Sequence, residues 1–200
     1  MNSAKRVARL ACACLLALGI ASARHEVDAD GFHLSWPTAT LTVGTVSGLN
    51  GQQLTVPVTL LTNVATAAIE NEIYFDPNTP ILARPDGRPA CVVTVASKNR
   101  DADVVPSPSF TFLPNGCQGS ACHGIRALIV SFHNLDPIPN GRVYTCKVYI
   151  TPNAPAAAYP LQIYNVQGGV SSADPVLGSG VAGYVIVQPL PTPPPGARCG

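Results

Sequence analysis

Cys117 and Cys122, with His123 directly after them and His133 ten residues further on, are the nearest this chain comes to a cluster of reactive side chains. Two chemistries suit that spacing. A local disulfide would close the short loop Gln118-Gly119-Ser120-Ala121, whereas a zinc site would add the histidines to the two thiolates. A single C-x4-C does not specify the tetrahedral set that zinc requires, so the disulfide is the preferred reading. His123 and His133 stand at either end of an apolar run, and at ~3.3 Å per residue an extended chain holds them well apart. Asp76, Asp136 and Asp174 each precede a proline, a pairing that marks turns before it marks chemistry. No phosphate-cradling glycine loop and no EF-hand pattern occurs. Without a nucleophile and base, a facing carboxylate pair or a metal set, the chain reads as non-catalytic, with no metal and no cofactor expected.

Binding chemistry is better represented. In Ala67 to Pro77 (AAIENEIYFDP), Ile69, Ile73 and Phe75 share one parity while Glu70, Glu72 and Tyr74 share the other. An extended segment therefore has an apolar face and an acidic, aromatic one. Asn71 interrupts the apolar parity. Glu70 and Glu72 form either an acidic recognition patch or an ordinary solvated strand face. Tyr74 and Tyr164 can give a partner rigid contact area or stack on a sugar ring. Trp36 is either a sugar platform or a cover for one end of the core.

The first 23 residues stand apart from the fold. Lys5, Arg6 and Arg9 precede an apolar run from Leu10 to Ile20, and Ala21-Ser22-Ala23 completes a secretory leader pattern, with the mature chain starting at Arg24. Residues 24–38 form an irregular lead-in, residues 39–188 one domain and residues 189–200 a proline-rich tail. No later stretch reaches the ~18 apolar residues of a membrane span, so a secreted or cell-surface location is expected. Beyond the leader there are nine Lys and Arg against eleven Asp and Glu. That balance offers nothing to a phosphate backbone, and nucleic acid is not an expected partner.

Twenty prolines and seventeen glycines, set between short β-branched runs, fit many strands joined by turns. The expected strands are Ala39 to Val46, Gln53 to Thr62, Ala67 to Pro77, Ala90 to Ala96, Ser109 to Leu113, Ile125 to Phe132, Arg142 to Thr151, Tyr159 to Val166 and Val181 to Val187. Asn50-Gly51 predicts a hairpin between the first two, and Pro57 a bulge or interruption in the second. The nearly continuous apolar run at Ile125 to Phe132 predicts a central strand covered on both faces. PLPTPPPGARCG, from Pro189 onward, predicts an extended, semi-rigid segment of polyproline type.

The order VGTVSGLNGQQLTVPVTLLTNV, IENEIYFDP, IVSFHN, GRVYTCKVYITPNAP, YPLQIYNV and GYVIV resembles a cohesin or cohesin-like domain over roughly Thr40 to Val187. The resemblance implies an all-β, nine-stranded antiparallel jelly-roll sandwich, a fold shared with carbohydrate-binding modules of families 2 and 3. It also implies recognition of a dockerin-like extracellular protein, whose modules carry paired calcium loops, through an outer sheet face bearing Ala68, Glu70, Glu72, Tyr74, Gln162 and Tyr164. Polysaccharide binding on the same fold, and a structural spacer at the cell surface, are the alternatives. Family topology sets ACVVTVA beside RVYTCKVYIT, implying a Cys91–Cys146 bridge; two buried free thiols are the other possibility. Cys199 then stays unpaired within the domain. Two stretches depart from the dockerin-binding pattern: the loop with Cys117 and Cys122, and the excursion from Ile81 to Pro89.

Overall fold

The computed structural model describes residues 37–95, 110–130, 135–170 and 175–190. Residues 1–23, expected to be a leader, together with Trp36, His133, Cys199 and most of the proline-rich segment, lie outside them. Alternation builds the first sheet. In β1 (Thr38–Val43) Ala39, Leu41 and Val43 are buried and the threonines between them are not, and β3 (Gln53–Thr62) buries Val56, Val58 and Leu60 in the same way. β8 (Gly141–Tyr149) pairs with β3, and β5 (Cys91–Val93) forms the edge beyond it. The second sheet runs β6 (Phe110–Leu113), β7 (Gly124–Ile129), β4 (Thr66–Tyr74), β9 (Ala158–Val170), β11 (Gly183–Val187) and β2 (Val46–Gly48). β10 (Pro175–Val181) joins β1 to β9, so the two layers form one sheet folded over a shared core.

The fold is thus an all-β sandwich, nearly closed along one side. Its ladders are antiparallel except β1 with β10 and β2 with β11, which are parallel. Those two pairs are linked: β1 and β10 both belong to the first layer, and their continuations β2 and β11 both cross to the second. At the crossing a Cβ on Gly44 would lie 2.7 Å from the Pro57 ring, and one on Gly183 would lie 2.3 Å from the Gly44 carbonyl oxygen. Only glycine fits at either place.

Several expectations need correction. The first two expected strands do pair antiparallel, as β1 with β3, and the Asn50-Gly51 turn forms with Gly51 at φ +81°, but the connection between them is longer than a tight hairpin and carries β2, which pairs with β11 in the other layer. Of the two outcomes expected at Pro57, β3 shows the bulge and not the interruption: Pro57 remains inside the strand, and the register shifts just after it, between Val58 and Thr59. β7 is central in its ladder yet covered on one face only, with Arg126 outward and exposed. The run at Val181 to Val187 is broken at Ala182. Residues 175–181 (PVLGSGV), which show no alternation, are drawn into a strand by neighbours on both sides.

Tyr144 of β8 spans the space between the layers. It is fully buried, and its ring lies 5.3 Å from that of Phe110. Asn71 Nδ2 donates to the Tyr144 hydroxyl at 2.9 Å, and that hydroxyl donates to Asn71 Oδ1 at 3.2 Å. This accounts for the polar residue on the apolar parity of β4. Burial pushes the Tyr144 phenol pKa up, so it remains a neutral donor. Nearby, Cys91 and Cys146 face each other across β5 and β8 and form a buried disulfide.

Removing one partner of a buried hydrogen bond costs more than removing both. Tyr144→Phe should therefore destabilise the fold by ~1–3 kcal/mol in urea unfolding, while Asn71→Leu combined with Tyr144→Phe should recover most of that loss.

Candidate binding face

Because Asn71 points inward, Glu70, Glu72 and Tyr74 must point outward from β4. Their neighbours are set by register: Arg126 of β7 lies opposite Glu72 on one side, and Tyr164 of β9 on the other. Tyr74 is likewise opposite Gln162, and Ala68 opposite Gly169. The structure thus brings Ala68, Glu70, Glu72, Tyr74, Gln162 and Tyr164 onto one face of two paired strands.

Glu72 is not a solvated carboxylate. Its side chain is 7% exposed, and Arg126 Nη2 donates to its Oε1 at 2.9 Å. Asn165 Nδ2 and the Tyr74 hydroxyl donate to Oε2 at 2.7 and 3.2 Å. Burial alone would raise the pKa, but those hydrogen bonds and the guanidinium charge outweigh it and hold Glu72 below the ordinary carboxylate range. The Tyr74 phenol is pushed up by its own burial and by the Glu72 charge it faces. The hydrogen bond to Glu72, then the charges of Glu70 and Glu72, raise the Arg126 pKa. Arg126 Nε also approaches Glu70 Oε1 at 3.3 Å, so both acids share one cation.

Asn165 reaches Glu72 through a backbone irregularity. Two β4 steps, Glu70 to Glu72, face three on β9, from Gln167 to Tyr164, and Asn165 sits within that bulge at φ +51°. Asparagine tolerates this left-handed conformation better than most side chains. The bulge turns its amide onto the carboxylate.

Aromatic rings complete the face. Tyr164 is half exposed, and its hydroxyl donates to Gln162 Oε1 at 2.9 Å. Its ring meets Tyr74 edge-on at 69°, with centroids 5.8 Å apart. His123 stacks on the other side of Tyr74 at 5.9 Å. Gly124 makes room for Tyr74, since a Cβ there would lie 3.0 Å from its ring. The residue before His123 is bonded to Cys117, so the Cys117–Cys122 loop is a disulfide, and no cluster of three potential metal ligands occurs among the described residues.

Sequence reasoning missed Arg126, Asn165 and His123 as members of this face. Arg126 carried a signal, as the one charge in the apolar run from Ile125 to Phe132. Asn165 carried none, because its role depends on the bulge. No helix among the described residues is long and apolar enough to cross a membrane.

No protein-family profile matches the chain, and no curated protein resembles it by sequence. Solved structures do match. A type I cohesin–dockerin complex from Clostridium thermocellum superposes with a TM-score of 0.57 at 16% identity, over 75% of this chain and 99% of that one. The sixth cohesin of Acetivibrio cellulolyticus scaffoldin B, in complex with Cel5 dockerin, gives 0.57 at 16% identity, over 76% and 99%. A non-cellulosomal cohesin from the archaeon Archaeoglobus fulgidus gives 0.54 at 11% identity, over 76% and 92%. The chain has a cohesin-like fold.

Two outcomes follow from the Glu72 network. Its pKa is lower folded than unfolded, so its stabilisation is complete above the unfolded value of ~4.3 and is lost as pH falls through the folded value. The stability gap between the natural chain and Glu72→Gln should be widest above about pH 5 and should close in more acid solution, read by thermal unfolding against pH. Asn165→Ala loses a charge-assisted hydrogen bond and strains a left-handed residue, for ~2–4 kcal/mol. Asn165→Gly, free of the strain, should cost less in the same urea titration.

Proposed function

We propose that this is a secreted, non-catalytic module that binds an extracellular protein of the dockerin kind through the outer face of β9, β4, β7 and β6. The observation that carries the reading is the internally neutralised row Arg126, Glu72 and Tyr164. Side chains already held by hydrogen bonds lose little freedom on binding, and a half-exposed tyrosine beside a hydrogen-bonded carboxylate suits a protein contact. Three supports converge: the leader pattern, the cohesin-like fold, and the dockerin complexes formed by two of the cohesins that share it. In assemblies that degrade polysaccharides, such a module would serve to recruit another protein.

Carbohydrate binding on this face is less well supported. A sugar strip needs rings presented flat and in line, whereas Tyr74 and Tyr164 meet edge-on. Trp36 lies outside the described residues.

Calorimetric titration of the chain with calcium-loaded dockerin modules, and separately with soluble polysaccharides, tests the reading. Saturable binding to a dockerin should weaken about tenfold or more in Tyr164→Ala, the effect of a contact worth ~1.4 kcal/mol or more. Charge reversal at the partly exposed Glu70, Glu70→Lys, should also weaken it. Binding to polysaccharide alone would overturn the assignment.

A further inference from the structure

Three Asn-Gly pairs occur in the chain: Asn50-Gly51, Asn115-Gly116 and Asn140-Gly141. In such a pair the backbone nitrogen after the asparagine can attack the side-chain amide carbon, and a glycine there puts no Cβ in the path. Attack needs two freedoms. The side-chain amide must be able to turn toward the following nitrogen, and that N–H must not be engaged elsewhere.

The fold grants these freedoms unequally. Asn50 Nδ2 donates to Pro152 O at 2.8 Å and to Ala154 O at 3.0 Å, and Gly51 N donates to Ile150 O at 2.9 Å. Asn140 Oδ1 accepts from Thr62 N at 2.7 Å while its Nδ2 donates to Thr62 O at 3.1 Å, so that amide is clamped at both ends. Asn115 is exposed, and neither its amide nor the Gly116 N–H makes a hydrogen bond among the described residues. Turn shape does not account for the contrast. Gln52 N donates to Leu49 O at 3.1 Å and Cys117 N to Pro114 O at 3.0 Å, closing two turns that each carry glycine third at φ +81°. What differs is what surrounds them.

We propose that the fold leaves Asn115-Gly116 free to modify itself, converting the asparagine to aspartate and isoaspartate. A bond forms from Gly116 N to Asn115 Cγ, the Cγ–Nδ2 bond breaks, and the amide nitrogen departs as ammonia with the Gly116 proton, leaving a cyclic imide. Water then opens the ring. Attack at Cγ gives aspartate, and attack at the main-chain carbonyl gives isoaspartate, which adds one carbon to the backbone just before the disulfide loop. The site lines a cavity of about 460 Å³ between the 81–89 excursion and that loop, whose charged residues are Asp86 and Arg88. A carboxylate at position 115 turns this balanced cavity net negative. It also gives the Arg88 guanidinium, which has no ion pair among the described residues, an acid in its own cavity.

Incubating the full chain in mildly alkaline buffer, then digesting it and following each asparagine by mass spectrometry, tests the proposal. Positions 50 and 140 should react about tenfold or more slowly than position 115, since two or more hydrogen bonds must break first. In urea with the disulfides reduced, the three rates should converge. Asn115→Gln should remove the first acidic species to appear on isoelectric focusing of the incubated chain. Equal rates in the folded chain, a gap that persists in urea, or an acidic species that survives Asn115→Gln would overturn the proposal.

Discussion

The hydrogen bond pair between Asn71 and Tyr144 is the constraint on which the rest of the molecule hangs. A strand has a period of two, so a one-residue slip would turn every side chain of β4 to the wrong face. Apolar packing alone resists such a slip, but tolerates small errors because one aliphatic contact resembles another. A buried amide is less forgiving, since away from Tyr144 it would be left unpaired inside the core. Fixing Asn71 inward fixes Glu70, Glu72 and Tyr74 outward, and the register with β7 and β9 then assigns their neighbours.

On the outer face the same logic runs through charge. Glu72 would be a poor occupant of a nearly covered site if Arg126, Asn165 and Tyr74 did not each supply a donor. Those donors come from three strands, which makes the carboxylate a tie across the sheet as well as part of its surface. The bulge at Asn165 bends β9 locally so that the amide reaches its target. His123 stacked on Tyr74, and Tyr164 set edge-on to it, then border the tie without forming a plane.

How much of this could be read in advance depended on whether the cause was local. β4, β3 and β8 announce themselves by alternation, and Asn71 stood out as the exception to its own pattern. The Cys91–Cys146 pairing came from topology borrowed from a resemblance, not from spacing. Arg126 was overlooked because one charge barely dents an apolar run of eight residues, although its outward parity was there to be counted. The bulge at Asn165 and the strand at 175–181 left no local mark: one is a mismatch between partners, and the other owes its extended form to β1 and β9. The Asn50-Gly51 turn was legible as a turn, but which strands it joined depended on the crossing at Gly44.

That crossing also bears on how the molecule behaves in a crowd. By joining the two layers through β10 and carrying β2 and β11 across together, it leaves β5, β6 and β2 as the terminal strands among the described residues, with three, four and three described residues. Exposed edges are where one protein's backbone can recruit another's into a growing sheet, and edges this short offer few unpaired amides to begin with. The glycines that permit the closure thus also limit self-templated aggregation, a safeguard of evident use to a protein made almost wholly of strands.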